Sequence, residues 1–387
     1  MAIPLKYNWR NLVVRRNTTM LTAFSMTLTV AVLVVLMALA TGLERSLSTT
    51  GHPLNIIIMR EGSQAEGFSS VSRDDLQVIK YLDGIVRDER GEPLVSPESI
   101  VLTSLLRRGR TQGSNVTIRG MSPDGPALRP DFKMAAGRFY RAGLREVIVS
   151  QRISERFQGC ALGDRLKLGR DYWTVVGIFE AGTSAYNSEI WTDVDGLMDE
   201  FRRDNYNDIF IRVASAEAGA RIKEQVTTDR RLHLKPWAER DYFASQMEAA
   251  TPIRIFGSLI AALMAIGASF AAMNTMYAAV ARRTREMGTL RALGFSRASV
   301  MLSFVAESVL IATLGGLLGC LLSLGINGVT TGTTNFTSFS EMAFDFHVSP
   351  PLFLAGMLFA VFMGLVGGFF PAWRASRESV VNALRAS

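Results

Sequence analysis

Few side chains in this 387-residue sequence are spaced for chemistry. There is no G-x-x-x-x-G-K-[ST] phosphate loop, nor any Gly-Lys dipeptide, and G-x-S-x-G and H-E-x-x-H are also missing. His52, His233 and His347 are scattered and read as surface residues, not as a metal or catalytic set. Cys160 lies in a polar region and Cys320 in an apolar run, so neither a disulfide between them nor a metal site is expected. The carboxylates between residues 44 and 254 are balanced by arginines and read as a solvated surface. The expectation is no catalytic residue, no metal and no cofactor held by this chain.

One stretch is patterned. Residues 281–297 hold Arg282, Arg283, Arg285, Arg291 and Arg297 against the single acid Glu286, with an uncharged run on each side. A basic segment between two apolar runs belongs on the cytoplasmic face, where Lys and Arg concentrate. Met287, Leu290 and Leu293 fall three apart, an apolar stripe on a helix. Gly294 is placed as its stop, and Ser296 opens the next helix. The plainer reading is a charged connector that only fixes topology.

Glu307 is the one ionisable residue inside an apolar span, and such residues are costly and often functional. It follows Arg297 by three turns of helix, about 15 Å, near half the depth of the hydrocarbon. Packing against a neighbouring helix, or reaching back to the arginines, is favoured over a proton or substrate site. Gly315, Gly316 and Gly319 in the third span, and Gly364, Gly367 and Gly368 in the fourth, let helix backbones approach closely. No polar pathway lines these spans, which suits packing and movement better than a channel.

These residues need a membrane frame, and composition supplies it. Apolar residues make up 48% of the chain, and the net charge is +7 with a pI near 9.6. A basic excess can mark a nucleic-acid partner, but here it lies in residues 1–18, 281–297 and 374–387, beside apolar runs, while 44–254 is neutral. That is positive-inside topology. Residues 18–43, 254–281, 298–330 and 348–373 are expected to span. The first run is too long for a signal h-region of roughly 7–15 residues, despite the cleavage-like Ala38-Leu39-Ala40. Ahead of it, residues 1–17 with Tyr7 and Trp9 read as a cytoplasmic interfacial helix.

Residues 44–253 are different material, an α+β extracytoplasmic domain of two lobes. Strands are expected at Asn55–Met59, Ile100–Arg107, Asn115–Arg119, Glu146–Ser150, Asp164–Leu168, Tyr172–Phe179, Glu189–Thr192 and Asp208–Val213. Helices are expected at Arg73–Leu82, Gln151–Phe157, Val194–Arg202, Ala216–Val226 and Ala238–Met247. Residues 282–297 form a cytoplasmic helical loop, 331–347 a short polar extracytoplasmic loop, and 374–387 a cytoplasmic tail. The fold class is a membrane protein with four transmembrane α-helices and a large α+β extracytoplasmic domain inserted between helices 1 and 2.

The segment Arg283-Thr284-Arg285-Glu286-Met287-Gly288-Thr289-Leu290-Arg291-Ala292-Leu293-Gly294 resembles the R-x-R-E-x-G-x-x-R-A-x-G-x-x signature of MacB/FtsX-like permeases, four-helix membrane subunits of ABC transporter systems. Glu307 and Gly315-Gly316-x-x-Gly319 stand at the family's offsets. Phe370-Pro371-Ala372 through Ala383-Leu384-Arg385 resembles its ending, although Trp373 stands where a basic residue is common and Glu378-Ser379 replaces Asp-Pro. Gly137-Arg138-Phe139, Leu162-Gly163-Asp164 and Thr174–Phe179 are similar to its extracytoplasmic domain.

The resemblance implies a subunit of the bacterial cytoplasmic (inner) membrane with both termini cytoplasmic. Two copies, identical or paralogous, would pair and dock a dimer of cytosolic ABC ATPases that bind ATP and Mg, since no nucleotide-binding domain follows Ser387. Residues 282–294 would be the coupling element. Its arginines would meet acidic or carbonyl groups, and Met287, Leu290 and Leu293 would fill an apolar groove. ATP-driven motion of the outer domain would then export or extract a lipid, lipoprotein, peptide or drug, with a periplasmic adaptor as a further partner, membrane lipids around it and no nucleic acid. The alternative is a scaffold that regulates an outer partner, such as a cell-wall hydrolase, without moving cargo.

Overall fold

The structure, a computed structural model, describes residues 16–129, 131–246, 251–335 and 338–377. The interfacial helix expected before residue 16 and the tail beyond Arg377, with its Ala383-Leu384-Arg385 ending, lie outside the described residues. The chain forms two compact units, one from residues 1–42, 252–329 and 345–387, the other from 43–251 and 330–344.

The first unit is helical. Its long helices are α1 (Arg16–Ser48), which runs on into the second unit's residues, α7 (Thr251–Arg282), α9 (Arg297–Leu324) and α10 (Pro350–Arg377). All four are long and apolar enough to cross a membrane. At 1.5 Å per residue each exceeds a hydrocarbon thickness of about 30 Å. Between its first and last turns such a helix satisfies its backbone groups internally. The hydroxyls of Thr27 and Thr29 follow the same rule, bonding the carbonyls of Ala23 and Ser25 at 2.8 and 2.9 Å.

Glycine sets how these helices meet. A Cβ on Gly315 would lie 2.7 Å from the carbonyl oxygen of Ala23, and one on Gly319 would lie 2.7 Å from that of Thr27, so α9 packs backbone to backbone on α1. On the other side of α9, Gly316 abuts Ala360, Gly364 abuts Ala312, and Gly368 abuts Ser308, which closes α9 onto α10. Ser308 Oγ donates to the Gly364 carbonyl at 2.8 Å across that seam. Gly367 faces Ala272 of α7. All six glycines singled out from the sequence therefore sit at helix crossings.

The second unit is built on a ten-stranded mixed sheet. Its strands are β1 (Asn55–Arg60), β2 (Val95–Leu106), β3 (Gly113–Met121), β4 (Phe132–Gly137), β5 (Glu146–Ser150), β6 (Arg165–Leu168), β7 (Asp171–Ala181), β8 (Glu189–Asp193), β9 (Asp208–Arg212) and β10 (Leu234–Ala238). The order is β10-β1-β9-β2-β3-β8-β5-β7-β4, with β6 also on β7. β2 joins the halves: Val95–Glu98 pair with β9, and Glu98–Leu106 pair with β3. One apolar core gathers Ile56, Ile58, Ile209, Ile211 and Ile222 under α2 (Arg73–Lys80) and α5 (Ala216–Thr228). The other gathers Val116, Ile118, Val149, Trp173, Ile190 and Leu197 beside α3 (Gln151–Arg156) and α4 (Val194–Glu200). The two expected lobes are thus two cores on one continuous sheet. A short α6 (Glu239–Gln246) follows β10.

Several expected bounds change. β4, β10 and residues 95–99 of β2 do not stand out in the sequence, because Pro236, Pro97 and the Ala-Ala-Gly of β4 argue against strand. β4 and β10 are the two ends of the sheet order, where an unpaired edge tolerates such residues. The third span ends at Leu324, not residue 330, and the fourth helix continues to Arg377. The expected polar loop 331–347 is a β-hairpin, β11 (Thr330–Thr334) and β12 (Glu341–Asp345), whose threonines are β-branched and suit strand as well as loop.

That hairpin is knitted into the second unit. Glu341, 3% exposed, is held by Arg107 Nη2 at 2.6 Å and Arg156 Nη2 at 2.5 Å. Ser188 Oγ accepts from Ala343 N at 2.8 Å, and Arg152 Nη1 donates to the Ala343 carbonyl at 3.0 Å.

Candidate functional site

The patterned arginine segment folds as a short helix, α8 (Thr284–Ala292), between two breaks. At the first, Arg283 (φ −111°, ψ 12°) leaves helical geometry and separates α7 from α8. At the second, the chain stops by a Schellman motif: Gly294 N donates to Arg291 O at 3.1 Å and Phe295 N to Leu290 O at 3.2 Å. Gly294 takes φ +95°, a left-handed conformation that glycine adopts without steric cost. Ser296 then caps α9, accepting from Ser299 N at 3.1 Å.

The segment has an inner and an outer face. Met287 is buried with Met276 of α7, Val300 and Phe304 of α9, and Ala372 and Ala375 of α10; Gly288 is buried beside it. Arg283 is also inside. Its Nη1 donates to Glu307 Oε2 at 2.8 Å, its Nε to Glu286 Oε2 at 3.1 Å, and its guanidinium lies over the Phe304 ring at 5.0 Å. Both Arg283 and Glu307 are 4% exposed. Facing outward are Arg282, Arg285, Glu286, Ala292, Leu293 and Gly294, with Leu290 and Arg291 half-buried.

This corrects the expected apolar stripe. Steps of three residues fall short of a full helical turn by about 60°, so two steps rotate by roughly 120°. Met287 consequently points into the helical unit while Leu293, 69% exposed, points away. Met287 and Arg283 fasten the helix to its own chain and are buried; Leu293 and the outer arginines are exposed. Glu307 takes the role of reaching back to an arginine and holding packing. Its seat includes Phe304, one turn earlier on the same face of α9, which the sequence reading passed over although its i, i−3 spacing was a usable signal.

The sheet unit corrects a second expectation, that its carboxylates form a solvated surface. Arg119 of β3, 1% exposed, donates to Glu189 of β8 at 2.8 and 2.7 Å, to Glu98 of β2 at 2.8 Å and to Glu66 at 3.1 Å. Arg129 Nη2 also donates to Glu98 at 2.7 Å, with its guanidinium over the rings of Phe210 and Tyr186. Asp208 of β9 lies among them, and neither of its oxygens has a hydrogen-bond partner among the described residues. Burial raises the pKa of Asp208 well above the usual carboxylate value, reinforced by Glu66 and Glu98, and burial raises that of Glu66 as well. Burial likewise pushes the Cys160 thiol up to about 12, which leaves it a packing residue rather than a nucleophile. The ionic cluster is enclosed. It bridges the two cores across β2, β3, β8 and β9, and its Glu66, Arg119 and Glu189 form part of the wall of a small cavity of about 60 Å³ shared with Tyr242 and Phe243.

Comparison with known proteins agrees with these two units. Residues 19–229 match the MacB-like periplasmic core domain and residues 258–380 match the FtsX-like permease C-terminal domain, so the chain belongs to the MacB/FtsX-like ABC transporter permease family. It is 22% identical to an uncharacterized ABC transporter permease, YknZ, of Bacillus subtilis, over 94% of both chains. It is 25% identical to the macrolide export ATP-binding/permease protein MacB of Burkholderia thailandensis, over 99% of this chain and 60% of that one. The chain thus spans little more than half the length of that MacB. The periplasmic region of MacB from Actinobacillus actinomycetemcomitans is a further neighbour, with a TM-score of 0.39 and 12% identity over 51% of this chain and 94% of that one.

Proposed function

We propose that the chain is the permease subunit of an ABC transporter. It couples ATP hydrolysis by a separate cytosolic ATPase dimer to motion of the sheet unit, and that motion exports or extracts a lipid, lipoprotein, peptide or drug. Two copies of the chain, or this chain and a paralogue, pair in the cytoplasmic membrane with α8 and both termini on the cytoplasmic side and the sheet unit outside. The positive charge beside the spans supports that orientation. The MacB relatives, macrolide export ATP-binding/permease proteins, support an ATPase as partner.

The observation that carries this reading is the two-faced α8. Its inner face is seated on the spans through Met287 and Arg283, and its outer face presents Arg282, Arg285 and Leu293. A short helix with one anchored face and one cationic, apolar face is suited to lie in a groove of an ATPase lined by acidic and carbonyl groups. Motion is favoured over conduction because the cleft of about 780 Å³ between α7 and α10 is lined mainly by apolar side chains such as Ala265, Phe270, Met273, Phe359 and Phe362, with Ser269 and Tyr277 the polar contributions. The test is Leu293→Asp or Arg285→Glu in the full chain. The expected result is loss of the ATPase from the purified complex with the membrane subunit still folded. Unchanged assembly and turnover would refute the coupling role.

A further inference from the structure

α8 is nine residues long, too short to hold itself as an isolated helix in water. Each end is a backbone break, at Arg283 and at Leu293–Phe295. A helix hung between two joints passes on a push only through what fastens it. Among the described residues, an apolar fastening is Met287 in its seat. An ionic one is placed at the joint itself, where Arg283 reaches from the break into α9 and pairs with Glu307 at 2.8 Å.

The pair is costly to build, since neither side chain is more than 5% exposed and both charges are taken out of water. Arg283 suits the position in three ways at once: Nη1 on Glu307, Nε on Glu286 and the guanidinium plane on Phe304. A lysine, a point charge on a flexible stem, cannot reproduce all three. Glu307 in turn sits on the helix whose Gly315 and Gly319 press on α1 and whose Gly316 presses on α10. The ionic contact therefore ends on the most closely packed helix of the unit.

We propose that Arg283 is a positioning residue, a pin that fixes the coupling helix to the third span at Glu307, so that displacement of α8 is delivered to α9, and through its glycine contacts to α1 and α10, instead of being lost at the break between α7 and α8. This rests on the reading of α8 as the point where force enters, and deepens it.

The test is amide hydrogen exchange on the full chain in lipid nanodiscs, following residues 284–292 against α9 and α10. Glu307→Gln is expected to speed exchange in α8 at least tenfold while α9 and α10 stay protected, and Arg283→Lys is expected to fall between it and the native chain. Unchanged α8 protection in Glu307→Gln overturns the proposal. Should that variant loosen the whole bundle, the reversed pair Arg283→Glu with Glu307→Arg decides: recovered α8 protection supports the pin, and its absence overturns it. Leu293→Asp, on the outer face, is expected to leave α8 exchange unchanged, so a failure of the docking reading shows in ATPase association and a failure of the pin shows in exchange.

Discussion

Asp208 stands directly opposite Glu98 in the register of β9 and β2, and neither carboxylate reaches solvent. Like charges facing each other across a strand pair are destabilising, and burial compounds the cost. The structure accommodates them because Arg119 and Arg129 hold Glu98, while burial raises the pKa of Asp208 and so favours its neutral form.

That relationship sets a pH dependence. A carboxyl whose folded pKa lies above its unfolded value binds more protons folded than unfolded, so its contribution falls as pH rises through the interval between the two. The contribution of Asp208 to the stability of the sheet unit should be lost as pH rises above about pH 4, the ordinary carboxyl range, toward neutral and alkaline pH. Asp208→Asn places a neutral amide opposite Glu98 in the strand register and removes the titration. Its expected effect is a flatter profile and a higher unfolding midpoint at pH 8, by about 2–4 °C for each kcal/mol regained. Near-UV circular dichroism of the buried, stacked Trp191 follows this melting.

The two faces of α8 should separate in stability measurements. Met287→Ala opens a cavity among Met276, Phe304 and Ala372 and should cost about 2–5 kcal/mol in unfolding of the purified chain. Leu293→Ala, on the exposed face, should change stability by no more than about 0.5 kcal/mol. Equal effects would mean that the helix is not seated as described.

Helix crossings in the bundle should reject side chains selectively. Gly319→Leu forces α9 away from the Thr27 carbonyl and should destabilise by about 1–3 kcal/mol or more. Gly267 of α7 is the control, because a Cβ there meets nothing within 4 Å, and Gly267→Leu should be tolerated. Thermal unfolding in one detergent compares the pair.

The hairpin β11–β12 should depend on one carboxylate. Glu341→Gln weakens its hold on Arg107 and Arg156, and exchange at residues 330–344 should rise at least tenfold with the sheet still protected. Gly332 lies against the same cluster, so Gly332→Val should loosen the hairpin in the same way.

What the sequence made legible follows from how local each signal is. The four spans show as long apolar runs, the third broken only by Glu307, and Gly294 with Ser296 marks the end of one helix and the start of the next within a few residues. The inward turn of Met287 was not legible, because stripe and seat differ by a rotation that only packing against Phe304 and Ala372 resolves. The burial of Arg119 was not legible either, since its partners Glu66, Glu98 and Glu189 come from distant segments and a neutral charge balance looks the same for a solvated surface and for an enclosed cluster. β10 and the first part of β2 were hidden by prolines that sheet pairing tolerates.

The most direct test of the central claim is photo-crosslinking from single positions of α8 in native membranes. A photoreactive residue replacing Leu293 or Arg285 should capture a nucleotide-binding ATPase, identified by mass spectrometry, and one replacing Met287 should capture only this chain's own helices. An ATPase captured from Met287 but not from Leu293 or Arg285, or from none of the three, would contradict the account.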